Sequence, residues 1–184
     1  MSTLPEVPGY LTGTWQIDPV HSEIGFVVRH MMVSKVRGKF GTVEGSIVTE
    51  KDPLQSSATA TIDMSSITTG NDQRDDHLRS SDFFDAENHP KMTYRSTGIR
   101  VVDGEIVADG ELTIRGVTKP VTLNVELNGF GPDAYGGTRA GFTATGEINR
   151  RDFGVNWTAA MEGGGVVVSD KVTIQLEVEA VLQG

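Results

Sequence analysis

The chain has 184 residues, a net charge of −9, a pI near 4.8, 37 % hydrophobic residues and no cysteine. An acidic chain repels phosphate backbones and anionic headgroups, so nucleic-acid binding and electrostatic membrane docking are not expected, and no basic cluster stands out against that expectation. The lack of cysteine excludes disulfides, thiol nucleophiles and thiolate metal sites, and no apolar run reaches the roughly 18 residues of a membrane span.

The first ten residues, MSTLPEVPGY, have neither the basic, the apolar nor the cleavage region of a secretory leader, so a cytoplasmic location is expected. Residues 1–12, broken by Pro5, Pro8 and Gly9, read as a flexible arm, and residues 13–184 as one domain. A short strand is expected from Gly13 through Trp15 and Ile17, ending at the Asp18-Pro19 turn. In the next strand Ile24, Phe26, Val28 and His30 share a face, opposite Glu23 and Arg29. Residues 35–48 read as one long strand whose phase slips between Phe40 and Val43, which places a β-bulge near Gly41. Ala58, Ala60, Ile62 and Met64 form a further inward row.

The alternation stops between Asn71 and Asp85. There Asn71 or Asp72 caps a short helix with acids at its positive end, lying across one end of the fold. Strands resume with Met92, Tyr94 and Ser96, and then with Ile106, Ala108, Gly110, Leu112 and Ile114 on one face. Val121, Leu123, Val125 and Leu127 follow, then Ala140, Phe142, Ala144, Gly146 and Ile148. A glycine-rich loop at Gly163–Gly165 leads to the last strand, where Val172, Ile174, Leu176, Val178, Ala180 and Leu182 alternate with polar residues. Short turns and the absence of βαβ spacing predict an all-β fold: an antiparallel barrel of about eight strands with one short helix.

Ala58, Ala60, Ala108, Gly110, Ala140, Ala144 and Gly146 all fall on inward rows. Interiors are close-packed, so side-chain volume missing at seven inward positions is made up by something. A barrel of this size either fills with side chains or holds one small ligand, and these residues fit both outcomes. A hollow barrel has an apolar lining suited to a long hydrophobe. Each five-carbon unit of such a chain gains roughly 4 kcal/mol on burial, before association costs.

Several blocks together carry a resemblance. Trp15-Gln16-Ile17-Asp18-Pro19-Val20-His21-Ser22 is followed by Gly38-Lys39-Phe40. Asp75-Asp76-His77-Leu78, Ser81-Asp82-Phe83-Phe84-Asp85 and His89-Pro90 come next, then Gly110-Glu111-Leu112-Thr113-Ile114, Gly116-Val117-Thr118-Lys119-Pro120 and Arg151-Asp152-Phe153-Gly154. In this order, across Gly13 to Leu182, they resemble YceI-like proteins. The resemblance implies a lipocalin-like extended barrel that binds a polyisoprenoid in its interior, is not an established enzyme, and occurs in some members as a dimer.

The expected lining is Ile24, Phe26, Val28, His30, Phe40, Ile62, Phe83, Phe84, Tyr94, Leu112, Ile114, Phe142, Ile174 and Leu176. His30 and Tyr94 are its candidate headgroup contacts, and Phe83 or Phe84 its candidate gate, one ring stapling the helix. No metal ligands are assigned, because His21, His30, His77 and His89 lack metal spacing and the acids around Asp76 lack calcium-loop spacing. No catalytic residue is assigned and no cofactor is expected beyond the bound isoprenoid lipid or isoprenoid quinone. Arg150 and Arg151 with Asp152 read as a surface ion pair. A barrel enzyme using His30 or His77 as acid–base group, and a packed interaction module without ligand, are the two alternatives.

Overall fold

The computed structural model describes residues 7–31, 33–158 and 168–184. Its strands are β1 (Gly13–Ile17), β2 (Glu23–His30), β3 (Ser34–Phe40), β4 (Val43–Thr49), β5 (Ser57–Asp63) and β6 (Ile67–Thr68). After the helix α1 (Asp72–Arg79) come β7 (Lys91–Val102), β8 (Glu105–Ile114), β9 (Val117–Pro132), β10 (Thr138–Asn149) and β11 (Val168–Leu182). The loop expected at Gly163–Gly165 lies outside the described residues.

Eight strands close a ring in the order β1-β4-β5-β7-β8-β9-β10-β11, with β11 pairing back onto β1. Every pair is antiparallel, as short turns between alternating segments require. Closure removes exposed edges along the ring. One edge of β11 is shared by two strands: Leu176 pairs with Ile24 of β2, and Ala180 with Ile17 of β1. The turn between those strands is pinned to β11, with the Asp18 N–H donating to the Glu179 carbonyl (2.8 Å) and the Glu179 N–H to Ser22 Oγ (3.0 Å).

The expected single strand over 35–48 is instead two strands, broken at Gly41 and Thr42. Phe40 and Val43 both point inward, so the phase slips where expected. The cause is Ser66, which accepts from the Gly41 N–H at its carbonyl (3.2 Å) and from the Thr42 N–H at its hydroxyl (3.1 Å). Two backbone donors thus leave the ladder, and the strand turns a corner.

Asn71 caps α1, its Oδ1 accepting from the Arg74 N–H at 2.9 Å. Asp75, in the first turn, is buried rather than solvated and accepts from the Thr69 N–H and hydroxyl at 2.8 and 2.6 Å. Leu78 packs into both the cluster around Leu112 and the one around Ile62, which seats α1 on one end of the barrel. At the other end Trp15 is fully buried, donates to Thr49 Oγ1 (2.8 Å), and meets Phe130 edge to face at 5.5 Å. Tyr10 also meets Phe130 edge to face, at 5.3 Å, its hydroxyl donating to the Glu50 carbonyl.

Candidate functional site

Between the two ends lies a cavity of about 310 Å³, walled by all eight barrel strands, by β2 and β3, and by α1. This is within the usual range of small-molecule sites. The wall is almost wholly apolar. Alternation sends every second residue of each strand inward, so each strand contributes a row of such residues.

Thirteen of the fourteen expected lining residues stand on this wall: Ile24, Phe26, Val28, Phe40, Ile62, Phe83, Phe84, Tyr94, Leu112, Ile114, Phe142, Ile174 and Leu176. His30 continues the row of Ile24, Phe26 and Val28 but sits one step beyond the wall, opposite Val168, which is itself a wall residue. Phe83 is 5 % exposed and packs on Trp157 at 5.3 Å and edge to face on His77 at 5.0 Å. Phe84 is less buried and touches both core clusters under α1.

The small inward residues divide. Ala58, Ala60, Ala108 and Ala144 face the cavity. Ala140 instead packs in the Trp15 layer, 1 % exposed. A methyl group at Gly110 would meet the Tyr94 ring at 2.5 Å, and one at Gly146 would meet Leu123 Cδ2 at 2.8 Å. At those three positions a neighbouring side chain, not a hollow, takes up the volume.

The polar groups of the wall are mostly satisfied. Ser96 Oγ accepts from the Ala58 N–H (2.8 Å), and Thr49 Oγ1 accepts from Trp15 and donates to the Leu11 carbonyl (2.7 Å). The exception is Tyr94, whose hydroxyl is buried without a hydrogen-bond partner among the described residues. Desolvation, with a smaller contribution from the Asp109 charge, raises the Tyr94 pKa, so the group is a neutral phenol at all physiological pH.

Arg150, which the sequence places on the surface, is a wall residue. Instead of forming a surface pair with Asp152, it is 5 % exposed and donates to the carbonyls of Val155 (2.9 Å) and Ser169 (3.1 Å), with Asp170 at 3.4 Å. Arg151 pairs with Asp170 as well, at 2.8 Å. Burial lowers the Arg150 pKa. Its clasp fixes the 3-10 turn Arg150–Phe153 against β11 at the α1 end of the cavity. An Arg followed by Arg and Asp gives no sequence signal of such burial. Leu78, Met92, Phe153 and Val155 also join the wall, and of these only Met92 sits in an alternating row.

Outside the barrel, Asp18, His21 and Glu179 hold three potential metal-ligand atoms within 4.8 Å of one another. Arg139 already fills the position of a cation there. Its Nη1 donates to Asp18 Oδ2 (2.7 Å) and Glu179 Oε2 (3.0 Å), and its Nε to Asp133 Oδ2 (3.0 Å). His77 Nε2 bonds to Asp82 Oδ2 at 2.8 Å, and its ring meets Trp157 edge to face at 4.9 Å.

Residues 15–180 match the YceI-like domain family. A UPF0312 protein of Staphylococcus epidermidis is 40 % identical over 167 residues, which span 90 % of this chain and 95 % of that protein. The crystal structure of Burkholderia cenocepacia BcnA superposes with a TM-score of 0.74 at 25 % identity, covering 89 % of this chain and 98 % of that one. A polyisoprenoid binding domain from Saccharophagus degradans shares the fold, with a TM-score of 0.66 at 17 % identity over 94 % of this chain and all of that one. Among the described residues no helix is long and apolar enough to cross a membrane.

Proposed function

The chain belongs to the YceI-like family, and from that membership we propose that it is a non-catalytic carrier holding a long isoprenoid lipid, or an isoprenoid quinone, inside its barrel. The supporting observation is the apolar cavity, in whose wall the buried Tyr94 hydroxyl has no hydrogen-bond partner among the described residues. Apolar burial along the chain supplies affinity in proportion to its length. A buried donor without a partner costs about 1–3 kcal/mol, which a ligand oxygen at Tyr94 would recover. Tyr94, held neutral, suits an uncharged carbonyl such as that of a quinone. His30, opposite Val168, is the second candidate contact, at the rim. A structural neighbour described as a polyisoprenoid binding domain fits the same reading.

Adding an isoprenoid quinone to delipidated protein tests the proposal. One quinone per barrel, partitioning with the protein through gel filtration and recovered unchanged, is expected. Failure to take up quinone or any polyprenyl lipid, or chemical conversion of the added quinone, contradicts it. The same column run reports the homodimer that the reading allows, and fractionation of host cells checks the expected cytoplasmic location.

A further inference from the structure

The net charge of −9 conceals a local reversal. From Ile24 to Val43 the chain carries Arg29, Lys35, Arg37 and Lys39 and no acid. All four are exposed on the outward face of β2 and β3. None joins an ion pair among the described residues. Arg37 reaches only the Gln175 side chain, at 3.5 Å. Arg29 stands directly across from Lys35 in register, and like charges set opposite each other destabilise a sheet.

The hairpin ends in an apolar tip. Val33 is 85 % exposed and Met31 42 %, and the Val33 N–H closes the turn on the His30 carbonyl at 3.3 Å. The tip lies near the cavity in sequence and register: Val28 and Val168, both on the wall, flank His30 along β2 and across to β11.

We infer that the β2–β3 hairpin docks this protein on an anionic lipid bilayer, with the Val33 tip entering the headgroup layer and the four cations meeting lipid phosphates. Apolar side chains beside exposed Lys and Arg are the chemistry of interfacial binding. The acid of β2 and β3, Glu23, stands with its register partner Glu177 at the opposite end of β2 from the tip, and charges more than about 8 Å away are screened at physiological salt. Beyond its short pairing with β6 at Lys39 and Phe40, β3 is an open edge among the described residues. Charge there discourages strand addition, which accounts for Lys35 and Arg37. It does not account for Arg29, on a strand paired on both sides, or for Val33. A nucleic acid would use the cations and leave the apolar tip idle. Docking does not depend on the cargo proposed above, although a membrane-derived cargo gives it a purpose.

Co-sedimentation of the full chain with vesicles tests the inference, using phosphatidylcholine alone or equal parts phosphatidylcholine and phosphatidylglycerol. Binding to the mixed vesicles is expected, lost at about 1 M salt, where the Debye length is about 3 Å. The double variant Lys35→Glu, Arg37→Glu should bind more than about tenfold more weakly. Val33→Asp should weaken binding at low salt without moving the thermal midpoint, because its side chain faces solvent. Wild-type binding by the double variant, no preference for the anionic vesicles, or charge-dependent retention on heparin without vesicle binding overturns the inference. Solvent extraction of the same samples reads the cargo separately. Cargo without docking defeats the docking surface alone, and docking without cargo upholds that surface while counting against the carrier reading.

Discussion

The Tyr94 ring lies over Gly110 so closely that a methyl group there would sit 2.5 Å from Tyr94 Cε2. Tyr94 pairs with Leu112 and Ser96 with Gly110, so the ring runs diagonally along the wall to a position without a side chain. Gly110 is therefore the shelf that lays the phenol flat against the cavity. Gly38 does the same for Phe26, whose ring would meet a methyl group there too.

Tyr94→Phe separates two effects of opposite sign. It removes a buried hydroxyl with no partner among the described residues, so the empty barrel should gain about 1 kcal/mol in chemical denaturation. Quinone affinity should fall by about 1 kcal/mol, or roughly fivefold, by titration. A variant that loses stability and keeps its affinity would show that Tyr94 does not contact the ligand.

Ala144 and Ala140 share an inward row but should respond oppositely to enlargement. Ala144→Leu projects into the cavity, so it should displace cargo while costing less than about 1 kcal/mol of stability. Ala140→Leu meets the Trp15 layer and should cost about 1–3 kcal/mol. Thermal melts paired with lipid content check both.

Arg150→Met should destabilise by about 3 kcal/mol, because it strips the carbonyls of Val155 and Ser169 of their buried donor. Lysine should rescue little, having one ammonium where the guanidinium spans two acceptors. Full rescue by lysine in a denaturation series would mean that the charge alone matters.

Acid should loosen the fold from the outside. Asp18 is held well below the usual carboxylate range, first by the hydrogen bond from Arg139 and then by that from His21. Asp133 is lowered first by the backbone N–H groups of Gly137 and Tyr135, and Asp63 and Asp109 shift the same way. Each folded pKa lies below its unfolded value near 4, so the unfolded chain binds more protons at acidic pH. The contribution is complete above about pH 4 and lost as pH falls further. The thermal midpoint should drop steeply below about pH 4, and less steeply in Arg139→Leu, which starts lower at neutral pH.

The barrel was legible because its strands alternate so strictly; the last, from Val172 to Leu182, fixes its own inward face. The corner at Gly41 was legible as a slip in phase, but not as a break, because Ser66 lies 25 residues on in sequence. Whether the interior is hollow could not be read from composition. Ala144 and Gly110 look alike in the pattern, yet one faces a cavity and the other a tyrosine ring placed by cross-strand register. Arg150 reads as surface charge in the sequence because its partners are backbone carbonyls, one just after its own turn and one on β11, which no side-chain pattern announces. The β2–β3 cations were hidden by a negative total, since net charge averages over faces that a partner meets singly.

A hydrocarbon chain housed in the barrel should survive purification, and mass spectrometry of a solvent extract of the protein purified from its own host would detect it. A polyisoprenoid or isoprenoid quinone at close to one per barrel, reduced in Ala144→Leu, is the predicted result. An extract free of isoprenoids, from protein that also refuses added quinone, would contradict it.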